Sequence, residues 1–123
     1  MTGARAGATA GVNDVDGGAT SIQSPAITIP AGGTATVAFT SYFSHGANSS
    51  DADFFRAEVI GNTTTTVLEV RGSATDVDAK FVRQSFDISA FAGQTVRIRF
   101  TVADNSPGSL VEGAIDDVTV THN

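Results

Sequence analysis

Four places in the chain bring aspartates together: Asp14-x-Asp16, Asp51-x-Asp53, Asp76-x-Asp78 and the adjacent Asp116-Asp117. Carboxylates clustered in loops suit a hard cation, since Ca²⁺ takes about six to eight oxygens from carboxylates, carbonyls and water. Asp116 stands in the stretch Val111 to Val120, VEGAIDDVTV, which reads as a closing β-strand. Strict alternation puts Asp116, Val118 and Val120 on one face and Ile115, Asp117 and Thr119 on the other. If the valines point inward, Asp116 lies at the rim of the core, where a carboxylate is costly unless paired, hydrogen-bonded or bound to a metal. It is therefore expected to meet Ca²⁺ or an arginine. Asp14-Val15-Asp16-Gly17-Gly18 reads as a turn able to wrap an ion, its glycine pair permitting positive φ.

Catalytic chemistry is poorly served. His45 lies close in sequence to Ser44, Ser49, Asp51 and Asp53, the residue types of a nucleophilic triad, but no G-x-S-x-G turn is present. Two histidines and no H-E-x-x-H leave the usual zinc sets unfilled. The expectation is a domain that is not an enzyme. Sugar recognition relies on planar aromatics. With no tryptophan and one tyrosine, the expected exposed platforms are Tyr42 and Phe54, both on the parity opposite the inward residues of their strands, unless they cover a sheet face or join the core. A ligand site would draw on Tyr42, His45, Asp51, Asp53 and Phe54. The pairs at 51/53 and 76/78 are ordinary solvated turn formers, unless their two loops meet in space.

The whole chain bounds these readings. Its 123 residues suffice for one domain with a real core. A net charge of −6 and only seven Lys and Arg argue against nucleic acid as a partner. No cysteine is present, and no apolar run approaches the roughly 18 residues of a membrane span, so no membrane insertion is expected. MTGARAGATAG has no hydrophobic centre and is not a signal peptide. The richness in Thr, Ser, Gly and Ala suggests an exported bacterial module cut from a longer parent, secreted by a signal upstream of Met1.

These residues need strands to position them. Residues 1 to 13 are small and polar and read as a flexible lead-in to one domain over 14–121. Thr20 to Ile29 is a strand that Pro25 restricts to an edge or bulge. Thr34 to Phe43 alternates with Ala35, Val37 and Phe39 inward, and Phe54 to Ile60 with Phe55, Ala57 and Val59 inward. Thr63 to Arg71 is β-branched, Phe81 to Ile88 carries Val82, Phe86 and Ile88 in register, and residues 89–94 form a short connection or helical turn. Thr95 to Ala103 is the clearest strand, with Val96, Ile98, Phe100 and Val102 inward. Arg56, Arg97 and Arg99 face outward, to balance acids across the sheet or to contact a parent catalytic domain. Seven to eight strands without helical periodicity specify an all-β sandwich of two antiparallel sheets.

The blocks DVDGGATSIQSPAITIPAG (14–32), FSHGANSSDADFFRAEV (43–59), FDISAFAGQTVRIRF (86–100) and SLVEGAIDDVTV (109–120) resemble the jelly-roll accessory domains at the C-termini of secreted actinobacterial peptidases, zinc carboxypeptidase-like chains among them. More distantly the pattern is similar to calcium-stabilised carbohydrate-binding modules and MAM-like jelly rolls. In those, an acidic N-terminal segment and an aspartate of the last strand clasp Ca²⁺. The resemblance implies ligands at Asp14, Asp16 and Asp116, with backbone oxygens of Gly18 or Ser21 and the side chains of Asp117 or Glu112 as further candidates. It implies an accessory module that binds carbohydrate, cell wall or protein matrix, that stabilises its parent, or that self-associates. Such domains begin with a further, tryptophan-bearing strand; without it a sheet edge is left open.

Overall fold

The alternating rows fold into eight strands: β1 (Gly18–Gln23), β2 (Ile27–Thr28), β3 (Ala35–His45), β4 (Phe54–Ile60), β5 (Thr64–Arg71), β6 (Val82–Asp87), β7 (Thr95–Asp104) and β8 (Val111–His122). The computed structural model describes residues 8, 9 and 11–123; of the expected lead-in, residues 1–7 and 10 lie outside the described residues. All pairings are antiparallel. One sheet runs β1-β7-β4-β5, with β2 continuing the β1 side of β7, and the other runs β6-β3-β8. The chain passes between the sheets at β2–β3, β3–β4, β5–β6, β6–β7 and β7–β8, and the domain is the all-β sandwich of two antiparallel sheets expected. Pro25 sits in the break between β1 and β2, where Ser24 keeps the ladder connected: its hydroxyl accepts from the Ile98 N–H at 2.9 Å and its own N–H donates to the Ile98 carbonyl at 2.8 Å.

The inner faces carry the apolar rows. Phe55, Ala57 and Val59 of β4 lie across from Val102, Phe100 and Ile98 of β7, and Val37 and Phe39 of β3 oppose them from the second sheet. Phe39 is fully buried, edge-on to Phe100 at 4.9 Å and stacked on Phe86 at 5.7 Å. Burying one such ring contributes about 1.5–3 kcal/mol. Single 3-10 turn Ser89–Phe91 drops Phe91 into the same core. On the outer faces Arg56 pairs with Glu69 at 2.6 Å and Arg99 with Glu58 at 3.0 Å, while Arg97 donates to the Ser24 carbonyl. Arg56 and Arg99 thus balance acids across their sheet, while Arg97 meets a carbonyl.

β8 departs from its expected alternation. Ala38 faces Thr119 but Thr40 faces Asp116, so Asp117 and Val118 together oppose Phe39. Asp117 has φ 52°, the left-handed conformation that an extra residue in a bulge adopts. Val111, Gly113 and Ile115 face inward before it and Val118 and Val120 after it. Asp116 therefore lies on the outer face, exposed, its carboxylate accepting from the Asp117 N–H at 2.8 Å. Among the described residues no arginine pairs with it, and it does not enter the core. Among the named strands β8 pairs with β3 alone, and near its start the Val111 carbonyl accepts from the Val15 N–H.

Two substitutions check this packing by chemical denaturation. Gly113→Ala adds a methyl that overlaps Val102 Cγ2 and is expected to cost about 1–3 kcal/mol. Asp116→Asn, at an exposed turn of the ladder, should stay within about 0.5 kcal/mol.

Candidate functional site

Two inward rows end in carboxylates at the same end of the sandwich. The row Phe55, Ala57, Val59 begins one step earlier at Asp53, and the row Val96, Ile98, Phe100, Val102 continues to Asp104. Extending the register that pairs Phe54 with Ala103 sets Asp53 opposite Asp104. Both are buried, at 0% and 1% exposure. Asp53 Oδ2 accepts from the Ser49 hydroxyl (2.6 Å), the Ser50 N–H (3.1 Å) and the Ser109 hydroxyl (2.9 Å), and Oδ1 from the Asn105 N–H (2.8 Å). Asp104 Oδ1 accepts from the Ser109 N–H (2.9 Å) and lies 3.0 Å from the same Ser109 hydroxyl, while Oδ2 accepts from the Gly17 N–H at 3.2 Å. One serine hydroxyl proton thus serves both carboxylates. Burial alone would raise Asp53, but its hydrogen bonds from Ser49, Ser50, Ser109 and Asn105 outweigh that and hold it below its ordinary 3.8.

Beside this pair lies an acidic cavity of about 340 Å³ lined by Asp14, Asp16, Asn48, Asp104 and Ser109. The Val15 N–H donates to the Val111 carbonyl at 3.0 Å and anchors the acidic turn there. Burial, then repulsion from Asp16 and more weakly from Asp104, raises Asp14 above 3.8. The structure therefore joins Asp14 and Asp16 to Asp104 and Asn48, not to Asp116. That residue is five positions along β8 from Val111, roughly 16 Å away. Asp117 occupies the bulge, Ser21 lies three residues into β1 opposite Thr101, and Glu112 lines a different cavity. In kind, the oxygens of Asp14, Asp16, Asn48 and Asp104 fit Ca²⁺. Among the described residues, however, no three His, Asp or Glu side chains already stand in a metal-holding arrangement.

The other candidate residues divide between two places. Arg56 lies 4.2 Å over the Phe54 ring, so this ring is covered. Tyr42 is half-buried on the outer face of β6-β3-β8, edge-on at 4.9 Å to Phe81, which is 54% exposed. Around them on that face lie Thr40, Arg83, Ala114, Asp116 and Glu112; Arg83 crosses β3 to donate to the Asp117 carbonyl. The loops carrying the two D-x-D pairs do adjoin: the Gly72 N–H donates to the Asp53 carbonyl at 2.9 Å, and Arg71 to that of Asp51 at 2.8 Å. Their carboxylates nonetheless separate, Asp53 into the buried pair and Asp76 and Asp78 into a larger cavity of about 410 Å³ shared with Ser44, His45 and Glu112. Ser49 is bonded to Asp53, and His45 Nδ1 lies 3.1 Å from the Gly46 carbonyl, so these residues form no serine–histidine relay. Asp104 and Phe81 were not among the expected site residues, though the inward row of β7 points straight to Asp104.

Asp53→Asn turns one acceptor into a donor among four donors, and is expected to cost about 2–4 kcal/mol in denaturant titrations at pH 7. Because the folded pKa is depressed, the carboxylate's contribution is whole above its unfolded value near 3.9 and is lost as pH falls through the folded value. Titrating stability from about pH 5 downward should show that loss in the parent chain and its absence in the variant.

A comparison with protein-family models and one with curated proteins find no match to this chain.

Proposed function

We propose that this domain is a non-catalytic binding module of a secreted bacterial hydrolase, stabilised by Ca²⁺, that holds carbohydrate, cell wall or protein matrix. The observation that carries the reading is the Tyr42–Phe81 pair on the outer face of the three-stranded sheet, open to solvent and flanked by Arg83, Asp116 and Glu112. An aromatic surface bordered by hydrogen-bonding groups suits a ligand with apolar ring faces and polar edges. The resemblance to peptidase accessory domains supports the same role. At the acidic end, Asp14, Asp16, Asp104 and Asn48 would hold the calcium, and bound there the ion would neutralise carboxylates that now repel one another. Asp14 is the residue most relieved by it.

A second reading, a stabilising appendage packed on its parent, is favoured by a different feature. An apolar slot of about 240 Å³ opens between β1 and β8, lined by Ile22, Pro25, Phe100, Ile115 and Val118. On that reading Ile22→Lys lowers the secreted yield of the parent and leaves retention on insoluble matrices unchanged.

Two measurements test the leading reading. Calcium added after EGTA treatment should raise the melting temperature, at about 100 times Kd by the equivalent of about 2.7 kcal/mol, and Asp14→Asn should abolish the rise; a flat response removes the ion. Tyr42→Ala should weaken retention on insoluble polysaccharide or protein matrix up to about tenfold, the equivalent of about 1.4 kcal/mol. No retention of the parent chain on any matrix in a broad panel removes the binding role.

A further inference from the structure

The two sheets part on the side where β5 and β6 are their last strands. Among the named strands β5 pairs with β4 alone and β6 with β3 alone, and between their edges runs a groove of about 240 Å³. Its walls are inward-facing apolar side chains: Leu68 and Val70 stand across from Ala57 and Phe55, and Val82 stands across from Ser41. Val70, Val77 and Val82 are exposed along its rim. Two polar groups interrupt this lining. Ser41 continues the inward row Ala35, Val37, Phe39, where burial calls for an apolar residue, and Gln84 faces the same interior opposite Phe39. Ser41 is 5% exposed, yet neither its hydroxyl nor the Gln84 amide has a hydrogen-bond partner among the described residues. Every side-chain oxygen or nitrogen sealed from solvent there does have one. The hydroxyl is therefore the part of this buried residue that solvent reaches, and it reaches it through the groove that Ser41 lines. A polar group turned inward without a protein partner is costly.

We infer that this groove binds a phenol. Ligand sites are apolar hollows with a few placed polar groups, and that is the make-up here. The volume lies below the roughly 300–1,000 Å³ of sites for drug-sized molecules and suits a single ring. Phe43 and Phe55 line the groove, and aromatic rings pack well edge to face. A phenolic hydroxyl both donates and accepts, as do the Ser41 hydroxyl and the Gln84 amide, so one such group satisfies either. Asp78 and Lys80 also line the groove with opposite charges, which favours a neutral guest. Apolar walls disfavour a polyol such as a sugar. The site thus goes beyond the Tyr42–Phe81 platform, whose own test is retention on a matrix, and the two stand or fall separately.

NMR chemical-shift titration of the full chain tests it with two matched pairs of probes: p-cresol against toluene, and a short extended peptide with one central tyrosine against its phenylalanine form. At least one phenol should shift the amides of Ser41, Val70, Val82 and Gln84 and bind about fivefold or more tighter than its counterpart. Ser41→Ala should erase most of that preference and the double variant Ser41→Ala/Gln84→Leu all of it, while Asp116→Asn, on the outer face of the same sheet, should leave it intact. Tighter binding of the peptide than of p-cresol assigns the source to a polypeptide side chain, and the reverse assigns it to a free small phenol. Equal binding within both pairs, shifts that fall outside the groove, or a preference that survives the double variant overturns the site. Ser41→Ala should also leave the denaturation midpoint of the free chain undiminished, because the hydroxyl holds nothing in the fold. A clear drop shows the hydroxyl tied within the core and overturns the site as well.

Discussion

Two carboxylates lie opposite one another at the mouth of an otherwise apolar interior, and much of this domain's architecture at that end exists to satisfy them. Asp53 and Asp104 extend the inward rows of adjacent strands, so the sheet itself places two like charges side by side. Neither can be left bare, since a buried charge without partners is among the costliest things a fold can contain. The partners come from loops: Ser49 and Ser50 from the β3–β4 connection, Asn105 and Ser109 from the β7–β8 connection, and Gly17 from the segment entering β1. Three separate connections are thus held at one end of the sandwich by two side chains.

That constraint also shapes the surfaces available for recognition. Fixing the β3–β4 and β7–β8 connections brings Asn48 and Asp104 alongside Asp14 and Asp16 and creates an acidic recess. On the other side of the same strand ends, Ser44, His45 and Glu112 face the Asp76–Asp78 loop. One recess gathers three aspartates and suits a small ion; the other sets His45 among acidic residues. A domain with a net charge of −6 thus sets six of its 13 acidic residues around these two recesses.

Most of the sandwich was legible in the sequence because apolar alternation is a direct readout of which strand face is buried. Val37 and Phe39, Phe55 to Val59 and Val96 to Val102 all face the interior as their pattern requires. Alternation misled only where the backbone abandons period two, at the Asp117 bulge and at Ser24-Pro25. It carried Asp116 to the wrong face because one inserted residue reverses every later parity. Applied one position past the clear end of β7, the same rule would have found Asp104, and one position before β4, the buried Asp53. Asp14 and Asp16 were found from their types and glycine neighbours, but Asn48 and the Tyr42–Phe81 pairing depend on how loops and strands meet, which no local pattern encodes.

The bulge in β8 has a bearing on how the chain tolerates changes of length. A surface loop absorbs the gain or loss of a residue by adjusting its path, but β8 is one continuous strand whose two halves are phased by Asp117 alone. Removing that residue would bring back a regular pleat and in the same stroke exchange inside for outside over Val118 to His122, sending threonines toward the core and valines toward water. A single codon at this point therefore governs the orientation of five side chains, and length variation in this fold should collect in its connections and spare this strand.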